Sequence, residues 1–384
     1  MTVTAAKGFV AAGVAAGIKP SGNTDVALIV NQGPLRAAAG VFTGNRIKAA
    51  PVLWSQQVLR AGKVVAVVLN AGNANACTGA LGFQHAHRTA EEVGALLDAS
   101  SAEVAVCSTG IIGEYLDVEK LVGGVKSAHA MLSSSGGEAA ARAIMTTDTV
   151  PKQATFRSPA GWSVGGMAKG AGMLAPALAT MLVVLTTDAV VEAANLDAAL
   201  RAATKKTFDR IDSDGCMSTN DTVLLLASGA SGAHPEATEF AAAVEQVCAE
   251  LASQLVADAE GASKHIAIEV VGAASEQDAL DVARAVSRSN LFKCAMHGQD
   301  PNWGRVLAAV GTTNAVFDDL NVDVALNGVW VCRASTIGDD KRTVDLTGRQ
   351  IDVTINLHAG EASAKLLTTD LTADYVHENS AYST

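Results

Sequence analysis

Residues 64–69 read VVAVVL, and residues 70–79 continue NAGNANACTG. An unbroken, largely β-branched run this short marks a strand buried on both faces, because a strand with one wet face would alternate polar and apolar residues. The Gly- and Asn-rich decapeptide predicts a loop, and the residues after it predict a helix over 81–97. A second strand is expected over 103–109, ending in GIIG. Strand, helix and strand in that order form a parallel βαβ unit with its loops gathered at one end.

Outward from this unit the alternation continues. Helices are expected around 118–132 and 138–145, separated by SSSGG, and two short strands lead to the apolar strand ATMLVVLTT at 179–187. In the second half, a helix capped by Asn195 runs to Phe208, a strand covers 222–227, and a long helix spans 236–257. The strand HIAIEVVG precedes Ser275 and Asp278, a capping-box-like pair opening the next helix. Beyond Gly311, VDVALNGVWVCRA reads as a hairpin turning at Asn327-Gly328, with two more strands after it. The fold class is therefore α/β with mixed sheets, a soft boundary near residue 180 and no internal repeat.

The chain has 384 residues, enough for two domains or one large α/β unit. Apolar residues make up 49% and charged residues only 17%, which supports a sizeable core and excludes a disordered, solvating chain. With a net charge of −11 the chain gains nothing from counterion release on nucleic acid, and it lacks the basic stripe that anionic lipid attracts. Neither nucleic acid nor a membrane is expected as a partner. Six scattered cysteines without a CxxC fit reduced thiols in a cytoplasmic protein. Residues 1–18 faintly resemble a signal peptide but contain no Leu and no clear cleavage site, so none is expected. The uncharged stretch 170–187 contains Pro176 and three Thr, which favours a buried strand over a membrane span.

Most chemical motifs are absent or weak. GAGMLA at 170–175 matches GxGxxA, but Pro176 and the β-branched run leave no room for the helix that would carry a pyrophosphate. His85 and His87 lie two apart and face different sides of a helix, and no HExxH or cysteine pair with ligand spacing occurs. Asp212, Asp214 and Gly215 read as a turn. There is no GxSxG elbow and no GxxxxGK[ST] loop. The segment KGAGMLAPALATML at 169–182 runs a Gly/Ala/Pro stretch into a strand whose first polar group is Thr180; a Thr in a strand is by itself ordinary.

Taken together, several segments in one order resemble a known family. They are NAGNANACTG at 70–79, STGIIG at 108–113, TTDT at 146–149, KGAGMLAPALATML at 169–182, STNDT at 218–222, DPNWGR at 300–305 and YVHENSAYST at 375–384. The chain is similar to the glutamate N-acetyltransferases, also called ornithine acetyltransferases, of arginine biosynthesis. The resemblance implies a two-domain α/β fold shared with self-cleaving aminopeptidases. It further implies autocatalytic cleavage between Ala179 and Thr180, an α chain of residues 1–179, a β chain of residues 180–384, and an assembly of two α and two β chains. Neither metal nor bound cofactor is implied.

The implied chemistry is a double displacement. Thr180 is the nucleophile: its hydroxyl attacks the preceding carbonyl, an N→O acyl shift gives an ester, and water releases it. The freed α-amine, with a reference pKa of about 7.7–8.0, is then a local base for the same hydroxyl. Thr180 next takes the acetyl group from N-acetylornithine and passes it to glutamate. The Thr109 hydroxyl and Gly110 N–H are implied as oxyanion donors, and Thr147, Lys169, Thr180, Glu260, Asn379 and Thr384 as substrate contacts. Such groups suit an amino-acid substrate, which presents a carboxylate and an amine.

Departures from the family pattern fall at Cys216 and Met217 within DGCMSTND, at Ala177 and Leu178, and at Ala259 before Glu260. They touch substrate tuning and leave the nucleophile and the Thr-Gly pair intact. Some relatives also accept acetyl-CoA, and no phosphate-binding motif here decides that. Two alternatives stand beside the transferase: a self-processing amidase or aminopeptidase of the same fold, and a non-catalytic binding protein.

Overall fold

The parallel pair read from VVAVVL is present, and its surroundings explain why the run carries no polar residue. In the computed structural model, which describes residues 2–173 and 181–381, the chain divides into two units. The first runs over Met1–Asp209 and Cys216–Asp258, and the second over Arg210–Gly215 and Ala259–Ser383.

The first unit contains strands β1 (Phe9–Val14), β2 (Val26–Asn31) and β3 (Ala37–Phe42), then helix α1 (Ala50–Val58). Strand β4 (Ala66–Asn73), helix α2 (Gly79–Leu97) and strand β5 (Val104–Ile111) follow. After α3 (Val118–Ala130) and α4 (Gly137–Ala143) come β6 (Lys152–Arg157), β7 (Ser163–Lys169) and β8 (Leu182–Thr187). Helix α5 (Ala193–Lys206), strand β9 (Thr222–Ala227) and helix α6 (Ala237–Ala257) complete it. One sheet has the order β1-β2-β4-β5, with β4 and β5 parallel; the other has the order β3-β9-β8-β7-β6, with β8 and β9 parallel. A single apolar cluster joins both sheets: Val67 and Leu69 of β4 share it with Val184 of β8 and Leu224 of β9. Helices α1, α2 and α3 pack on the first sheet, and α5 and α6 on the second. Strands enclosed on both sides have no use for polar alternation, as β4, β8 and β9 show.

The second unit contains β10 (His265–Ala273), α7 (Glu276–Ser287), α8 (Asn290–His297), α9 (Trp303–Val310), β11 (Asp323–Leu326) and β12 (Val329–Arg333). It ends with β13 (Thr336–Ile337), β14 (Gln350–Asn356), β15 (Ala362–Thr369) and α10 (Ala373–Ala381). Its sheet order is β13-β12-β11-β14-β10-β15. Here β14 alternates buried and open residues, the signature of a sheet covered on one face. The expected hairpin turns at Asn327 and Gly328, both at positive φ, as a two-residue turn requires. Ser275 caps α7 as anticipated, accepting a hydrogen bond from the Asp278 N–H at 3.1 Å.

Three local expectations change. Strand β4 runs on to Asn73, so the first part of NAGNANACTG is ladder: Gly72 lies opposite Gly110, where two residues without Cβ let the backbones close up. Helix α5 starts at Ala193 with Glu192 in the cap position, because the Asn195 N–H is already committed to the Glu192 carbonyl at 3.0 Å. Helices α8 and α9, each of eight residues, are too short to announce themselves by periodicity, although Ser289 and Asn302 cap them. The soft boundary near residue 180 falls between β7 and β8, which pair antiparallel within one sheet. Among the described residues no helix is long and apolar enough to cross a membrane.

Candidate functional site

Thr109 and Gly110 sit at the end of β5, and three asparagines hold that end in place. Asn70 on β4 accepts a hydrogen bond from the Ser108 hydroxyl at 2.6 Å and donates to the Asn73 carbonyl at 2.9 Å. Asn220, from STNDT, donates to the carbonyls of Ala74 at 2.6 Å and Ser108 at 2.8 Å. Asn73 accepts from the Asn75 N–H at 2.8 Å, fixing the turn that leaves the ladder. Thr109 is only 2% exposed. Gly110 has φ +128°, and a Cβ there would stand 2.4 Å from the Gly72 carbonyl carbon, so no other residue fits without moving β4.

Lys169, the last residue of β7, reaches this strand end. Its Nζ donates to Thr146 Oγ1 at 2.7 Å and to Thr109 Oγ1 at 3.3 Å, although it is only 1% exposed. Behind it lies Asp148, whose Oδ2 is 3.9 Å from Lys169 Nζ and whose Oδ1 accepts from Lys152 Nζ at 2.5 Å. Asp148 also accepts from the N–H groups of Gly170 at 2.7 Å and Thr146 at 2.9 Å. Lys152 pairs in turn with Asp258 at 2.5 Å. Two lysines and two aspartates thus close a buried, charge-balanced cluster. Burial alone would raise the Asp148 carboxyl, but the charges of Lys169 and Lys152 with the Lys152 and Gly170 hydrogen bonds prevail and hold it at about 2.

A second buried carboxyl behaves in the opposite way. Asp221 Oδ1 accepts from the Met181 N–H at 3.1 Å, and the Thr222 N–H donates to the Met181 carbonyl at 3.1 Å. Burial pushes its pKa well above the ordinary carboxyl value, only partly offset by the Met181 hydrogen bond, those of Thr43 and Ser218 and the charge of Lys169. Asp221 is thus a buried carboxyl with a raised pKa, hydrogen-bonded to the residue that follows Thr180 in the chain.

The remaining expected residues divide as follows. Thr147 is half-buried next to Asp148 in sequence. In the second unit Glu260 and Asn379 meet, Asn379 Nδ2 donating to Glu260 Oε2 at 3.0 Å, and α10 carries the tail residue. Ala177, Leu178, Ala179, Thr180 and Thr384 lie outside the described residues. Thr146, Asp148 and Asp221 belong to segments that carry the resemblance, but no local signal gave them a role. Lys19 was missed altogether: its Cγ would meet a Cβ on Gly72 at 3.1 Å, and its Nζ donates to the Thr24 carbonyl at 2.7 Å. Burial lowers its pKa, with the nearby Lys169 acting in the same direction against Asp25 and Asp148. Among the described residues no group of three or more His, Cys, Asp or Glu side chains could hold a metal ion.

This arrangement offers a strand end carrying a Gly, a hydroxyl touched by a buried ammonium, and a rigid asparagine scaffold, which together suit stabilisation of a developing negative charge on oxygen. The sequence profile of the ArgJ family matches residues 10–384. The arginine biosynthesis bifunctional protein ArgJ of Streptomyces coelicolor is 62% identical over 383 residues, covering 100% of both chains. The protein of that name from Mycobacterium leprae is 56% identical over 388 residues, covering 99% of this chain and 95% of its own. Among solved structures, the arginine biosynthesis bifunctional protein of Bacillus halodurans is 37% identical with a TM-score of 0.50, covering 52% of this chain and 98% of that one. An ornithine acetyltransferase from Mycobacterium tuberculosis, solved in complex with ornithine, is 55% identical with a TM-score of 0.45, covering 47% of this chain and 96% of that one.

Proposed function

The chain belongs to the ArgJ family, and from that premise we propose that it is an acyltransferase of arginine biosynthesis moving an acetyl group from N-acetylornithine to glutamate. The observation that carries the reading is the convergence on Lys169 of STGIIG, TTDT and KGAG, with Thr109 and Thr146 within hydrogen-bond reach of its ammonium. In this reading the Thr180 hydroxyl first cleaves the chain after Ala179. The freed α-amine then takes the hydroxyl proton as Thr180 Oγ1 attacks the acetyl carbonyl of N-acetylornithine. The carbon–nitrogen bond breaks, the proton passes to the departing amine, and ornithine leaves an acetyl-Thr ester. The amine of glutamate attacks that ester, giving N-acetylglutamate and restoring the hydroxyl. Each tetrahedral oxyanion is received by the Thr109 hydroxyl and the Gly110 N–H, donors commonly worth about 3–4 kcal/mol each.

Thr147, Lys169, Glu260, Asn379 and Thr384 contact substrate in the same reading. The enzyme is cytoplasmic and assembles from two α and two β chains. An intact-mass spectrum tests the premise of the mechanism. Cleavage divides 39.0 kDa, by proportion of 179 and 205 of 384 residues, into fragments of about 18 and 21 kDa, the larger beginning Thr-Met-Leu. Thr180→Ala stays whole. If the wild-type chain also stays at 39.0 kDa, the nucleophile has no free amine and the mechanism fails. Acetyl transfer to millimolar glutamate that does not outpace hydrolysis points instead to an amidase.

A further inference from the structure

A lysine ammonium has three donors and no acceptor, whereas a threonine hydroxyl has one proton and two lone pairs. The contact between Lys169 Nζ and Thr109 Oγ1 at 3.3 Å therefore has a fixed sense: the lysine donates and the threonine accepts. The Thr109 proton is then directed away from Lys169, and among the described residues the hydroxyl makes no other hydrogen bond. An accepting hydroxyl is also polarised by the cation, which strengthens it as a donor. What decides the direction of the Thr109 proton is thus the placement of Lys169, and that placement has identifiable causes. Thr146 Oγ1 takes a second hydrogen of the ammonium at 2.7 Å. Asp148 supplies the counter-charge at 3.9 Å and fixes both flanking segments, through the Thr146 N–H at 2.9 Å and the Gly170 N–H at 2.7 Å.

We propose that Thr146 and Asp148 are positioning residues for the oxyanion donor: they hold the Lys169 ammonium against Thr109 Oγ1, so that the Thr109 proton is presented to the tetrahedral oxygen. The proposal rests on the reading of Thr109 as an oxyanion donor. It gives Lys169 a second task besides any contact with substrate, and it separates the two tasks experimentally. A lysine that only bound substrate would act on KM, whereas a lysine that orients an oxyanion donor acts in the transition state and therefore on kcat.

The test uses the full-length protein, with acetyl transfer from N-acetylornithine to glutamate expressed per cleaved enzyme and the cleaved fraction read by intact mass. Thr146→Val removes the acceptor at nearly constant shape and is expected to lower kcat by about 10- to 100-fold, part of the loss that follows removal of a whole oxyanion donor, with KM held within about threefold. Thr146→Ser keeps the acceptor and restores kcat to within about threefold of wild type. Asp148→Asn is expected to follow Thr146→Val; should it fail to fold, the two Thr146 variants still decide the matter. In a Thr109→Ala background, Thr146→Val has no further effect if it acts through Thr109, because residues serving one interaction are non-additive. A rise in KM at constant kcat overturns the proposal, as does failure of Thr146→Ser to rescue, or full multiplication of the two losses. A wild-type enzyme that cleaves and transfers acetyl while these variants behave as wild type refutes the positioning role alone. A wild-type enzyme that does neither removes the functional reading and the proposal with it.

Discussion

Asp148 and Asp221 are both buried in the same unit, yet the pKa of the first is held low and that of the second is pushed up. Burial penalises the charged form at both sites. The difference lies in what faces each carboxyl: two lysines and two backbone N–H groups at Asp148, and at Asp221 the Met181 N–H, the Thr43 and Ser218 side chains and the charge of Lys169, which together do not outweigh burial. Depth therefore does not decide charge; the partners do. The first aspartate anchors a cation at the end of β7, and the second is a hydrogen-bond acceptor at the start of β8.

The largest test of this contrast is Lys152→Met. Lys152 is fully buried between Asp148 and Asp258, so its removal takes one cation from Asp148 and the lysine from Asp258 and should destabilise the protein by about 3–5 kcal/mol, read from the denaturant midpoint. A loss below about 1 kcal/mol would mean the cluster is not committed to its charges and the contrast collapses. Next comes acid. Because the folded-state pKa of Asp148 lies below its unfolded value, its contribution is full above about pH 4 and is lost as pH falls toward 2. Roughly 2 kcal/mol should disappear over that window, and Asp148→Asn should flatten the slope of stability against pH there. The smallest effect belongs to Asp221→Asn. Its folded pKa is raised, so its contribution is full below about pH 4 and declines as pH rises. The amide keeps the acceptor for Met181 and removes the need to hold a proton, so the change at pH 7 should be within about 1 kcal/mol, and the variant should gain on wild type as pH increases. A loss as large as that of Lys152→Met would show Asp221 to be ionised and paired.

The sequence made some central strands of the first unit legible because residues enclosed on both faces leave an unmistakable composition: VVAVVL led into β4 from Ala66 and MLVVLTT into β8 from Leu182, whereas β1, β2 and β3 were not anticipated. It was less informative wherever a structure depends on pairing. Nothing local in NAGN says that Gly72 will lie against Gly110; that follows from the register of β4 on β5. The resemblance singled out STND and TTDT as segments without saying what they do. Asn220 acts on Ser108, 112 positions away, and Lys152 meets Asp258 across 106. Such bonds are invisible to periodicity, which sees only near neighbours. Lys19 escaped for the same reason: its proximity to Gly72 arises from the fold and not from a motif.

The sheet order β3-β9-β8-β7-β6 carries one more consequence. If the backbone is opened between residues 179 and 180, the upstream piece owns β3, β7 and β6, while the downstream piece owns β9 and β8, clasped between them. The pieces could not part by sliding along an interface, since separation would strip ladder bonds from both flanks of the inserted pair. The opened protein would persist through a barrier to unfolding more than through an affinity between fragments. It would also have a memory of its history: an intact chain finds its fold at a rate independent of dilution, whereas denatured pieces must first meet, so their recovery would fall with concentration. If the chain is cut there, folding would have to precede cutting, and for the cut form the journey would be one-way at low concentration.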